Sequence, residues 1–428
     1  MNDKTEKPGQ KLGFFMSVAL VMGNMIGSGV FLLPQGLAPF GWNAIAGWVV
    51  TIAGALCLAH VLAKLTAAHE GAIGPAELVE RSFGPLAGFL IGFAFWVSVW
   101  TGCVTIAVGA TSYMSSFLPV LGEHPSLTAL GVIWTMTAVN LLGVRSAGSF
   151  QVITTLLKLT PLIVVAILIG LIFGRDGMSA LAPYPAEGLS LPSVNTAAAM
   201  TLWAMIGFEA ACAASHKIDN PQRNVPRATF YGALLSGIIY LIVCSGITLM
   251  LPADKVAASP APFELFVSTF WSPGPASLVA AFAAISAIGA VNGWTLVQAE
   301  VPLEMAKRQM MPQWFARTTA NGVPINGLLS ATVLGSLLVL ANSSQSMAGL
   351  FTFMALVTTS VTLWLYLACA AVALKRKIAV PFALIGLVFG VWSLWGAGVD
   401  ASGLSIVLML AGLPLYWWTR RSLNTQPH

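Results

Sequence analysis

Twelve apolar runs, each near the length of a bilayer crossing and joined by short polar connections, follow one another along the chain. About 20 apolar residues in helical form span the hydrocarbon core. The runs are Phe14–Leu37, Ala44–Leu65, Leu86–Ser115, Leu127–Leu142, Val152–Phe173, Val194–Ala214, Tyr231–Leu251, Ser277–Val297, Gly327–Ala341, Leu350–Leu374, Val380–Trp395 and Leu404–Trp418. Composition agrees: 57% of the 428 residues are hydrophobic and 8% charged, against about 25% charged in a soluble domain. So few charges cannot cover a water-facing surface, which excludes a soluble enzyme, a nucleic-acid binder and a disordered chain. A β-barrel would alternate apolar and polar residues in segments of about ten, whereas these runs are continuous. The expectation is an all-α polytopic membrane protein with 12 transmembrane helices.

Several partners are not expected. Cys57, Cys103, Cys212, Cys244 and Cys369 each lie inside an apolar run and form no CxxC pair, so neither a disulfide framework nor a metal site is expected. No cofactor is expected. The net charge of +5 is spread between the runs rather than gathered on one face, which gives no nucleic-acid partner. No Gly-x4-Gly-Lys-Ser/Thr loop occurs, so no ATP is expected. The polar first thirteen residues, followed by a run without a cleavage site, give no signal peptide.

Charge orients the chain. With the amino terminus in the cytoplasm, 17 of the 20 Lys and Arg fall on cytoplasmic segments, and the opposite loops hold Arg175 and Lys255. That is the positive-inside bias. Both termini are expected in the cytoplasm of a multi-pass protein of the cell membrane, the inner one in a Gram-negative cell. The expected division is a tail at 1–13, a first five-helix repeat at 14–175, a second at 190–376, two further helices at 378–420 and a tail at 421–428.

Two spans are interrupted. The first reads Met22-Gly-Asn-Met-Ile-Gly-Ser-Gly-Val-Phe-Leu-Leu-Pro34, with Gly27, Ser28 and Gly29 deep in the run; the sixth carries Gly207 and Glu209. They occupy corresponding places if the first ten spans form two halves of five, and such paired interruptions point to a transporter's midplane site. Non-helical backbone survives at that depth only around a cavity or inside protein. The half-helix after Gly27 would offer free N–H groups to a carboxylate, and carbonyls released before each break would accept from an ammonium. Together these groups form a socket for an α-amino acid. The plainer alternative is that the glycines only let helices pack closely.

Two ionisable groups lie within spans, where such groups are functional by default. Lys158 sits about 15 Å into the fifth span. Glu209 follows the sixth-span break, as a gating or pH-sensing carboxylate or as a cap on freed N–H groups. His60 reads as a packing residue, and Glu300 and Glu304 as cytoplasmic loop charges beside Lys307 and Arg308.

The stretch Gly23-Asn24-Met25-Ile26-Gly27-Ser28-Gly29-Val30-Phe31-Leu32-Leu33-Pro34 resembles the first-helix signature of the amino acid–polyamine–organocation superfamily, most closely its arginine/agmatine antiporter branch. Leu202-Trp203 through Phe208-Glu209, Asn220 through Pro226 and Gly293-Trp294-Thr295-Leu296 resemble it too. The resemblance implies a five-plus-five inverted repeat with helices 1 and 6 broken, two additional helices, alternating access and a homodimer. By position it implies backbone at Met25 and Ile206 for the substrate ammonium, Ser28 and Gly29 for the carboxylate, and Trp203 and Trp294 as pocket walls. Trp294 would stack on the distal end of the substrate, as a Trp face suits a guanidinium.

The chain departs from that branch in one direction. Cys103 and Val357 stand where the branch has Asn and Ser, and Phe95 and Leu365 stand where it has gating tyrosines. A guanidinium has five donors to satisfy, so these changes favour a less polar substrate unless Ser98, Thr105, Thr358 or Thr359 compensate. Ser98, Val99, Cys103 and Val357 are the expected pocket wall. The Leu-Lys-Leu-Thr-Pro stretch at Lys158 resembles proton-coupled, cation-independent members of the superfamily, in which the lysine takes the place of a sodium ion. An ammonium there could hold carbonyls freed at the first-span break and release them on losing its proton, or stay as a structural cation. The leading reading is an amino acid antiporter of the arginine/agmatine type. A proton-coupled or exchange transporter of neutral amino acids using Lys158 is the alternative. A channel, a transport-dead sensor and a membrane-embedded enzyme stand further off, the last because only one acid is plainly intramembrane.

Overall fold

The computed structural model describes residues 11–27, 29–68, 74–142 and 157–424. Among the described residues the secondary structure is helical, with one isolated bridge between Leu12 and Ile218 and no strand. In chain order the principal helices are α1 (Phe14–Met25), α2 (Gly29–Leu37), α3 (Trp42–Ala67), α4 (Pro75–Phe83), α5 (Pro85–Ser115), α6 (Pro125–Leu141) and α7 (Leu159–Asp176). They continue as α8 (Leu191–Met205), α9 (Ala210–Ala213), α10 (Pro221–Met250), α11 (Pro262–Phe270), α12 (Pro273–Lys307), α13 (Ile325–Ala341), α14 (Met347–Lys375), α15 (Val380–Gly396), α16 (Gly398–Leu410) and α17 (Leu413–Asn424). Among the described residues 8 helical segments are long and apolar enough to cross a membrane, and the first run adds a pair of helices meeting at 52°. Three shorter apolar helices, α6, α13 and α15, have 17 residues each. The chain is a multi-pass membrane protein.

Burial ranks the helices. α5 packs against both α12 and α14, and 89% of its most apolar stretch is buried, against 17% for the α16–α17 segment. A helix apolar on every side is suited to such a central place. Three of its threonines are satisfied within the helix: Thr101, Thr105 and Thr111 donate to the carbonyls of Val97, Thr101 and Ala107 at 2.9, 2.9 and 3.0 Å, as a low-dielectric setting demands. α3 lies between α8 and α10, and Thr51 donates across to the Ala198 carbonyl at 2.9 Å.

Two sequence expectations need correction. Glu300 and Glu304 are not loop charges; α12 runs on to Lys307 and carries both on its last turns, where Lys307 pairs with Glu304 at 2.7 Å. Hydropathy marks where a helix leaves hydrocarbon, not where its backbone hydrogen bonding stops. The connection between α10 and α12 is also more than a short linker. It contains α11, whose Phe263, Phe266 and Val267 are fully buried. Phe263 meets the Phe31 ring at 5.1 Å, the Tyr113 hydroxyl donates to the Phe31 carbonyl at 2.8 Å, and the Phe263 N–H donates to the Tyr113 hydroxyl at 3.5 Å. This plug packs over α2 on the Lys255 side of the molecule.

Candidate substrate site

The first break frees a carbonyl. The Ile26 N–H makes the last helical bond of α1, to Met22 at 2.8 Å, and the Gly27 N–H then turns back to the Met25 carbonyl at 2.8 Å. In an unbroken helix that N–H would have gone to Gly23. The Gly23 carbonyl instead accepts from the Lys158 ammonium, which is buried just before α7. Ser28, expected beside Gly29 at the carboxylate position, lies outside the described residues.

The second break rests on a conformation that glycine takes without strain. α8 ends at Met205, Ile206 is extended with ψ 138°, and Gly207 has φ +115°, which a Cβ disfavours. Glu209 then folds over the break: one carboxylate oxygen accepts from the Gly207 N–H at 3.1 Å and from the Tyr366 hydroxyl at 3.0 Å. Phe208 stacks on the Tyr366 ring at 4.8 Å. The Asn24 amide donates to the Gly207 carbonyl at 3.2 Å, so the two breaks touch.

A cavity of about 50 Å³ sits where they meet. Asn24, Met25, Gly27 and Gly29 line it from the first span, Trp203, Ile206 and Glu209 from the sixth, and Trp294 from α12. Phe95, Ser98, Thr358 and Thr362 form the remaining polar and aromatic wall. The Trp203 indole Nε1 is buried with no hydrogen-bond partner among the described residues. It lies so close to Gly29 that any side chain there would collide with it. An unmatched buried donor costs about 1–3 kcal/mol, a cost that an arriving acceptor removes.

On the side away from the plug, Phe95 and Glu209 also line a second cavity of about 320 Å³, which leads past Cys212 and Met305 to Glu77, Glu300, Glu304 and Arg308. Those two side chains therefore stand between the small chamber and a wider vestibule.

Comparison with known proteins agrees with this architecture. The family model described as amino acid permease matches residues 12–425. The chain belongs to the amino acid permease family. It is 30% identical to a cadaverine/lysine antiporter of Escherichia coli K12 over 98% of this chain and 97% of that protein. It is also 29% identical to the putrescine transporter PotE of the same strain, covering 95% of each chain, and 28% identical to the PotE of Haemophilus influenzae, over 95% and 96%. This permease is a transporter, not an enzyme.

Of the expected site residues, Met25, Gly27, Gly29, Phe95, Ser98, Trp203, Ile206, Trp294 and Glu209 converge on the small chamber, with Gly207 at its edge touching Asn24. Val99, Cys103 and Val357 are buried but lie off its lining. α5 presents Gly102 and Ile106 there, and α14 presents Thr358 and Thr362. Leu365 faces the vestibule, and His60 packs on Phe382 with ring centroids 4.5 Å apart. Sequence reasoning gave no part to Asn24, Tyr366 or Thr362. Asn24 sits inside the first-helix motif, and Thr362 lies one helical turn beyond Thr358. Nothing in the sequence singles out Tyr366.

Proposed function

We propose that this permease exchanges a basic α-amino acid for an amine of the polyamine type by alternating access. The observation that carries this reading is the single chamber formed where both broken spans meet, with an unpartnered indole N–H at one side and a carboxylate at another. A substrate carboxylate is received by the Trp203 Nε1 and the start of α2, at Gly29 and Ser28. Its α-ammonium is received by backbone carbonyls at Met25 and Ile206. The distal cation meets the Trp294 face and Glu209. The relatives' names, which pair lysine with cadaverine and include putrescine, support cationic cargo of this class, of which arginine and agmatine are further members.

The proposal includes 12 crossings in a five-plus-five repeat with two further helices, divided as read from the sequence, cytoplasmic termini and a homodimer. With the termini so placed, the vestibule opens to the cytoplasm and the α11 plug seals the outside, an inward-facing arrangement. Lys158 and Glu209 are the proposed coupling or gating groups, with Phe95 as a lid between chamber and vestibule.

The second reading, exchange or proton-coupled transport of a neutral amino acid, is favoured by the Lys158 bond to Gly23 and by the non-polar Phe95 and Leu365. A thermal-shift panel on the purified protein separates the two. A ligand at a hundred times its Kd stabilises by about 2.7 kcal/mol. Lysine, arginine, cadaverine, putrescine or agmatine should raise the Tm, and stabilisation by neutral amino acids alone would overturn the first reading.

A further inference from the structure

Beyond the transport chamber, the lipid-facing side of the molecule carries two cavities that abut. The larger, about 810 Å³, is a crevice between α5, α13 and the α16–α17 segment, walled by apolar side chains such as Val97, Leu334, Leu337 and Leu415. The smaller, about 190 Å³, continues it at the Arg308 end, where Arg308, Gln309, Thr419 and Arg420 meet one carboxylate, Glu80. Phe93 lines the first and Phe89 the second, and their rings stack at 5.8 Å. Leu415 and Tyr416 are chain neighbours across the same boundary.

The surroundings name the occupant. Leu337 on the crevice wall is 58% exposed, so in a bilayer the crevice opens onto acyl chains. Trp417 and Trp418 are 57% and 58% exposed on α17. Exposed tryptophans near a helix end mark the headgroup level, which places Arg420, on the next turn, among phosphates. Arg308 and Arg420 reach the small cavity from different parts of the chain. Arg308 also pairs with Glu77, yet a guanidinium has five donors to share. Arg420 lies over the Tyr416 ring at 5.4 Å, which leaves its edge for an anion. Glu77 is shared with Arg81, so three guanidiniums, Arg81, Arg308 and Arg420, stand against Glu77 and Glu80 and leave the neighbourhood of the cavity cationic, and a lipid that carries its own ammonium would meet repulsion there.

We propose that this composite crevice is a binding site for an anionic phospholipid, with the phosphate between Arg308 and Arg420 and an acyl chain along α5 and α13. The site shares no lining residue with the transport chamber and meets the vestibule at Arg308 and Met310.

Native mass spectrometry of the full-length protein, equilibrated in detergent with equal amounts of phosphatidylglycerol and phosphatidylcholine, tests it. The protein should retain phosphatidylglycerol in preference. Arg420→Gln should weaken that retention roughly five-fold, the worth of one basic residue near an anionic headgroup, while exchange in phosphatidylcholine vesicles stays unchanged. Ser330→Trp, which fills the crevice from α13, should lower retention with both arginines intact. Equal retention of the two lipids, or undiminished phosphatidylglycerol retention by either variant, would overturn the proposal.

Discussion

At the scale of single residues, the site turns on places where one atom decides the outcome. Gly29 is such a place, because a Cβ there would stand well inside contact distance of the Trp203 indole nitrogen. Overpacking of this kind costs about 1–3 kcal/mol, and the indole cannot move without leaving the chamber wall. Gly29→Ala should lower substrate exchange in proteoliposomes by about tenfold or more with little loss of expressed, folded protein. Full activity would remove the Gly29–Trp203 contact from the binding account. Trp294→Ala should abolish exchange of a cationic substrate and only weaken that of a small neutral one. Equal loss for both would count against stacking on a distal cation. Gly27, Gly29, Gly207 and Glu209 stand out in the sequence, since glycines and ionisable groups are conspicuous inside apolar runs, whereas Trp203 and Trp294 are marked only by the resemblance of their motifs. Thr362 does not, and Thr358 enters only as one of four hydroxyls that could compensate, because α14 is apolar on nearly every face and hydropathy cannot say which side turns inward. The structure turns those two threonines to the chamber, while Val357 packs in an apolar cluster with Phe93 and Val361.

At the scale of elements, the broken helices are held by polar ties rather than by apolar packing alone. Lys158 ties the start of α7 to the last turn of α1 through Gly23, and Asn24 ties α1 to the bend after α8 through Gly207. Removing one partner of a buried hydrogen bond leaves the other unmatched, at about 1–3 kcal/mol. Lys158→Ala should therefore lower the Tm by several degrees and change the pH dependence of exchange. An unaltered pH profile at full rate would leave Lys158 a structural tie only. Asn24→Ala should weaken substrate affinity severalfold, read from the concentration dependence of exchange, because the two halves of the chamber lose their direct link. The interrupted first span can be read from Gly27, Gly29 and Pro34 without coordinates. The α11 plug cannot, because a nine-residue helix makes no span-length signal, and its buried aromatics are explained only by Phe31 and Tyr113, far away in sequence.

At the scale of the whole molecule, the class and most of the helix order follow from hydropathy, since the bilayer demands long apolar helices with internally satisfied backbones. How the helices surround a chamber does not follow, because it depends on contacts such as α5 with α12 and α14 between segments remote in the chain. Phe95 and Glu209 stand between the chamber and the vestibule at Glu300, and α11 packs over α2 through Phe263 and Phe31. With the five native cysteines replaced, Cys212 of the vestibule among them, Glu300→Cys should accordingly react with a membrane-impermeant thiol reagent from the cytoplasmic face, and a saturating substrate should slow that reaction. Labelling only from the outside would reverse the orientation. The central claim is that one chamber, formed by two broken helices, carries a substrate across by exchange. Counterflow in proteoliposomes tests it most directly. Vesicles loaded with cadaverine, putrescine or agmatine should take up labelled lysine or arginine saturably and much faster than empty vesicles, and Gly29→Ala should cut the accelerated rate by about tenfold or more. Uptake that ignores the internal solute, or acceleration that survives in Gly29→Ala at the full rate, would contradict it.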